Sequence, residues 1–192
     1  MIYLSPGNSR MKIPTFSIPA VKTCKGRTKS CEKYCYARKA EVCWKNVLPS
    51  RTRNLKETKK FGFVKGMITK VVNTTSRYIR IHESGDFYSQ RYLNKWFEIC
   101  ESSPSRNFLA YTQMYDLDWS NKPDNMIVYW SIWHDSKDIP TDGLKAYTID
   151  NGKGKIPIYK SKGKMCKKNK NFTCDECLWC FEGKGDVKFK IH

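Results

Sequence analysis

Nine cysteines, seven of them in two dense groups, constrain this chain more than any other feature. Cys24, Cys31 and Cys35 lie in "CKGRTKSCEKYC", and Cys166, Cys174, Cys177 and Cys180 lie in "CKKNKNFTCDECLWC". Such groups are disulfide staples, zinc hooks or the thiolate ligands of iron–sulfur clusters. The chain has 192 residues, enough for one domain or two small ones. A chain of that length can bury a core without covalent help, whereas disulfide-dense scaffolds are usually too short to do so. The opening "MIYLSPGNSRMKIP" lacks the basic head and apolar run of a secretory signal. No apolar stretch approaches the ~20 residues that cross a bilayer. The expectation is a cytoplasmic protein with free thiols and no membrane contact, and an odd number of cysteines points the same way.

The late group reads C-x7-C-x2-C-x2-C. A compact C-x2-C-x2-C run with one remote cysteine is a common way to hold a four-iron cluster. Structural zinc with four thiolates more often shows two separated C-x2-C knuckles. The pattern therefore favours iron, with zinc as the alternative metal. The early group, C-x6-C-x3-C, supplies only three thiolates. In a continuous helix, the eight residues from Cys35 to Cys43 at about 1.5 Å each would separate those sulfurs by roughly 12 Å. Cys43 and Cys100 are accordingly read as core residues. A three-thiolate shell leaves one position open, as a catalytic metal does; otherwise an outside ligand closes it, and His82 is the candidate.

Around these groups the periodicity alternates between helix and strand. "KIPTFSIPAVKT" is extended, and its prolines allow an edge strand at most. Helix formers dominate from Cys31 to Leu48, where "LPS" supplies a stop, and again from Thr52 to Val72. "RYIRIHE" (77–83) alternates as a strand, placing Arg80 and His82 on one side. "SQRYLNKWFEICESS" (89–103) returns to helix. "NFLAYTQ" (107–113), "MIVYWSIW" (126–133) and "LKAYTID" (144–150) follow as strands, the first two apolar and aromatic enough to be buried. Tyr111, Tyr129, Trp130 and Trp133 are read as core, while His134 and His192 carry no signal.

The fold class that follows is α/β: an incomplete (β/α) barrel or an open parallel sheet, with an appended C-terminal cysteine-rich subdomain. The division falls at residue 150, giving 1–150 as the core and 151–192 as a basic extension. Ligands gather at the C-terminal ends of parallel strands. Those ends carry Glu83-Ser84-Gly85-Asp86, Thr112-Gln113 and Trp133-His134-Asp135. Gly85 would let backbone approach a ligand closely, and Asp86 could pair with an ammonium group.

The formal net charge is +18, a field that attracts polyanions. Between Asn151 and Thr173 there are eight lysines and no carboxylate. The run from Lys153 to Lys170 is thus a candidate contact for nucleic acid or an anionic substrate, against the alternative of a solvated loop.

Two resemblances sharpen the picture. The early cysteine loop with an aromatic before its last cysteine ("KYCYA"), followed by the strand-end turn "HESGDFYS", resembles the cluster loop and cofactor-binding turn of radical S-adenosylmethionine enzymes. "CYARKA", "RIHESGDFYSQRYLNKWFEIC", "FLAYTQ", "YWSIW" and the closing "C…CxxCxxC…FKIH" are similar to the phage gene product 88 domain. These resemblances imply a viral origin, a host-cell cytoplasmic setting and up to two four-iron clusters. They imply an open cluster on Cys24, Cys31 and Cys35, and a closed one on the late four cysteines. They also imply S-adenosylmethionine held at Ser84, Gly85 and Asp86. Two other classes compete with an enzyme: a metal-braced basic module that grips nucleic acid, and an electron-transfer protein.

Overall fold

The computed structural model describes residues 1–159, 161–166 and 172–191. In chain order its elements are β1 (Thr15–Phe16), α1 (Lys29–Lys33), α2 (Tyr36–Cys43), α3 (Val47–Thr58), α4 (Phe63–Val72), β2 (Tyr78–Ile81), α5 (Gln90–Glu101) and β3 (Asn107–Thr112). They continue with β4 (Met126–Ile132), β5 (Leu144–Ile149), β6 (Lys164–Met165), α6 (Cys174–Cys177) and β7 (Val187–Lys190). The seven strands form one open sheet in the order β1-β2-β3-β4-β5-β7-β6. Every pairing is parallel. β1 is a two-residue edge strand, as the prolines around it require.

Strict alternation along the central strands gives the sheet two different faces. Ile79, Ile81, Phe108, Ala110 and Met126 point to one side, where they pack with Phe63, Met67 and Val71 of α4 and Leu93, Trp96 and Phe97 of α5. These helices bury stripes at intervals of three and four, the spacing of one helical face. Ser89 caps α5, its hydroxyl accepting from Tyr92 N at 3.4 Å. On the other side Leu109, Tyr129, Ala146 and Val187 meet Met11, Ile13 and Phe181, with Cys166, Cys174 and Cys180 packed against them. The cysteine-rich region is thus built onto the same sheet: Val187 pairs with Ala146, and Lys164 with Val187.

Three helical expectations need correction. The stretch from Cys31 to Leu48 is broken at Tyr34 and Cys35 and again at Trp44, because Cys35 is extended and caps α2. "LPS" does not stop a helix but opens α3, where Pro49 occupies the first turn and its missing N–H has no intrahelical partner to lose. The stretch from Thr52 to Val72 is two helices, parted at 59–62. Among the cysteines, Cys100 is buried as expected, whereas Cys43 is exposed.

Candidate functional site

The loop from Ser17 to Thr28 carries Cys24 across the C-terminal rim of the sheet and is fastened there by backbone contacts. Ile18 N donates to Ser84 O at 3.1 Å, and Ser84 Oγ donates to Ile18 O at 3.0 Å. Gly85 has φ +86, and a Cβ there would lie 2.4 Å from Ile18 Cγ1 and 2.7 Å from Thr23 Oγ1. A Cβ on Gly26 would come within 2.1 Å of Gln113 O, so the loop also lies directly on the end of β3. Val21, three residues before Cys24, has φ 60. A β-branched residue rarely occupies that region, and strain of this kind collects at functional sites.

α1 and α2 bring in the other two thiols. Thr28 caps α1, accepting from Cys31 N at 3.1 Å, while Ser30 N donates to Asp135 Oδ2 at 3.0 Å and Ser30 Oγ meets His134 Nε2 at 2.8 Å. Cys35 Sγ accepts from Arg38 N at 3.4 Å, so its sulfur sits at the start of α2. A buried ion pair joins α2 to α3 and to the loop: Arg51 Nη1 lies 3.1 Å from Glu41 Oε1, which also accepts from Ala20 N at 2.7 Å. Neither Glu41 nor Arg51 was marked by sequence pattern, because each stands among other charges on a helix.

The three early thiols form one electrostatic group. Burial pushes Cys24 up to about 12, with Asp86 next and then Cys31 and Cys35 adding to the push. Burial likewise raises Cys31 to about 12, opposed by a hydrogen bond to the Gln113 side chain. Thiols crowded with one another and a carboxylate are poor places for bare thiolates. A positive centre would reverse that preference, since metal ligation requires deprotonated sulfur. Beside them an open cleft of about 420 Å³ is lined by Gly26, Thr28, Gln113, Tyr115 and Asp135, among others.

Asp86 is buried, and its carboxylate is largely engaged by the chain itself. Oδ1 accepts from Thr112 Oγ1 at 2.7 Å and Phe87 N at 2.8 Å, and Oδ2 accepts from Gln113 N at 3.0 Å. Burial nevertheless holds it up at about 6, against those three donors and Arg80. Ser84, Gly85 and Asp86 therefore meet the early cysteine loop first, and one lone pair of Oδ2 is the capacity left for another group.

Three of the late thiols, Cys166, Cys174 and Cys180, lie on the sheet's other face. Burial raises Cys180 to about 11; a hydrogen bond from Tyr111 opposes it, Cys166 and Cys174 add to it, and Arg80 lowers it. Cys166, Cys174 and Cys180 are thus neighbours, and Cys177, at the end of α6, is within electrostatic reach of Lys184. Glu176 fixes the start of α6 by accepting from Thr173 N at 2.7 Å.

His82 does not face these groups. Its φ of 58 breaks the alternation with Arg80, and its Nε2 lies 2.9 Å from Tyr92 Oη among Phe16, Phe87 and Trp96. In this position it supplies no outside ligand to Cys24, Cys31 and Cys35. Among the described residues no three His, Cys, Asp or Glu side chains converge as ligands of a single metal ion.

Of the basic run, Lys160, Lys167, Lys168 and Lys170 lie outside the described residues. Lys153 and Lys155 sit in a turn wound on Asp150, whose Oδ1 accepts from Lys155 N at 2.7 Å and whose Oδ2 accepts from Gly152 N at 2.7 Å. No helix among the described residues is long and apolar enough to cross a membrane.

A family model described as Gene product 88 matches residues 4–156. That span includes the early cysteines and Asp86 and ends before Cys166. The chain is also 26% identical over 198 residues to the "Gene 88 protein" of Mycobacterium phage L5, covering 87% of this chain and 81% of that protein. No solved structure matches it.

Proposed function

The chain belongs to the gene product 88 family, and from that premise we propose that it is an iron–sulfur protein with a reactive site at the sheet's C-terminal rim. Cys24, Cys31 and Cys35 would hold a four-iron cluster whose fourth iron lacks a protein ligand, and Cys166, Cys174, Cys177 and Cys180 a closed one. The observation that carries this reading is that Cys24 and Cys31 each feel both Cys35 and Asp86, at the rim where parallel sheets hold their ligands. The chemistry a bound cluster supplies is electron transfer, with substrate binding at the open iron.

The chain's own residues prepare that rim. Ser84 and Gly85 clamp the loop, and the aromatic and aliphatic contacts of Trp133, Ile156 and Ile191 shield Cys31 from water. Asp86 Oδ2 offers one acceptor to an ammonium-bearing ligand, which supports S-adenosylmethionine as the small molecule. The positive surface would draw an anionic substrate, nucleic acid included, to the same protein in a reducing host cytoplasm. The test is the electron-spin spectrum of the reduced protein with and without S-adenosylmethionine, in the natural sequence and in Asp86→Asn. A signal altered by the cofactor, more weakly in the variant, is expected. A spectrum indifferent to the cofactor would exclude an open iron that binds it.

A further inference from the structure

Arg80 stands in the middle of a strand that is otherwise apolar and aromatic, and only 8% of it is exposed. Its Nε and Nη2 donate to His82 O at 3.3 and 3.2 Å, and its guanidinium carbon lies 4.0 Å from the centre of the Tyr111 ring. Among the described residues no carboxylate is within ion-pair distance of it, and buried Asp86 feels its charge only from further away. A buried cation normally has a paired charge, because desolvation is otherwise uncompensated. What lies beyond the Tyr111 ring is Cys180: Tyr111, Cys166, Cys174 and Cys180 pack against one core on the same face, and Tyr111 and Arg80 both hold the Cys180 thiol down against its burial. Tyr129 and Phe189 stand 5.2 and 5.6 Å from Tyr111, centre to centre. Aromatic surroundings of this kind keep water out and let a charge act over a longer distance.

We infer that Arg80 is the internal counter-charge of the anionic group on the late cysteines, acting on it directly and through the Tyr111 hydroxyl. The inference rests on the iron–sulfur reading above and adds to it a residue outside the cysteine motifs. Four thiolates give a four-iron cluster a net negative charge, and reduction adds one more. A fixed cation therefore favours the reduced form, and a hydrogen bond to a ligating sulfur acts in the same direction. Arg80 is a positioning and tuning residue on this account. The planar face that stacks on Tyr111 is a property lysine does not share.

The test uses the full chain prepared without oxygen, in the natural sequence and as Arg80→Gln and Tyr111→Phe. Iron and acid-labile sulfide are measured, followed by a redox titration. Arg80→Gln should move one of two reduction waves to lower potential, or lose about half of the iron, and leave the other wave in place. Tyr111→Phe should move the same wave in the same direction by less. This second variant carries the test alone if Arg80→Gln does not fold. Iron-loaded variants with both waves unmoved would overturn the role of Arg80 and leave the cluster reading standing. An iron-free natural protein would overturn the cluster reading and, with it, this inference.

Discussion

The carboxylate of Asp86 accepts a hydrogen bond from the Thr112 hydroxyl at 2.7 Å, tying the turn after β2 to the end of β3. The early cysteine loop rests on that junction, through Gly85 on one side and Gln113 on the other. Rim, loop and thiols are therefore one mechanical unit, and changes to its fastenings have distinct outcomes.

Gly85→Ala should be costly, since it places a Cβ 2.4 Å from Ile18 Cγ1 in a backbone with φ +86. The expected loss is at least about 2 kcal/mol, with faster labelling of Cys24 by a thiol reagent in metal-free protein. Gly62→Ala is the control, because nothing lies within 4 Å of its added Cβ. Its effect should stay within about 0.5 kcal/mol in the same denaturant titration.

Glu41→Gln should weaken the fold through a different fastening. The pair it makes with Arg51 is nearly dry, with side-chain exposures of 9% and 10%. Leaving Arg51 without its counter-charge should cost about 3 kcal/mol in a denaturant midpoint experiment. A loss no greater than that of an exposed pair such as Glu57 with Lys60 would show that water compensates Arg51.

The acid limb of stability should depend on His82. Burial first, and Arg80 second, depress its imidazole to about 3, so in the folded state it binds fewer protons than in the unfolded state. Its contribution is complete above about pH 6.5 and falls by about 1.4 kcal/mol per pH unit as the pH drops towards 3. Asp86 works oppositely: held up at about 6, its contribution is present below its unfolded value and lost as the pH rises through 6. The comparison must therefore be with His82→Asn, a residue that tolerates a positive φ. The stability difference between the two proteins should become less favourable to the natural sequence from pH 6.5 to 4. A constant difference would mean that His82 takes up its proton without unfolding anything.

The sequence made the central strands legible, because "NFLAYTQ" and "MIVYWSIW" are apolar runs too short for buried helices and rich in strand formers. The break at 34–35 was not legible, since Tyr34 and Cys35 are compatible with helix and the chain departs from it to put Cys35 at the start of α2. The break at 59–62 had one local trace, the poor helix former Gly62 just before α4. Nor could the pairing of Val187 with Ala146 be read, since nothing local reports a contact forty-one residues apart. Position 82 misled the alternation argument because one residue of positive φ ends the strand and reverses the side chain. The cysteine groups were readable as groups; their fastenings at Glu41, Arg51 and Gln113 belong to the tertiary structure. Arg80 left one sequence trace, a cation inside "YIRI".

The central claim is that the two thiol groups hold separate iron–sulfur clusters, and the most direct measurement is iron and acid-labile sulfide per chain after anaerobic purification. It would be made on the natural sequence, on a variant with Cys24, Cys31 and Cys35 replaced by serine, and on Cys177→Ser. The account predicts close to equal iron and sulfide in the natural protein. Each variant should lose about half, with Cys177→Ser also less stable because metal binding contributes folding free energy. Stoichiometric zinc without sulfide, or iron unchanged in both variants, would contradict it.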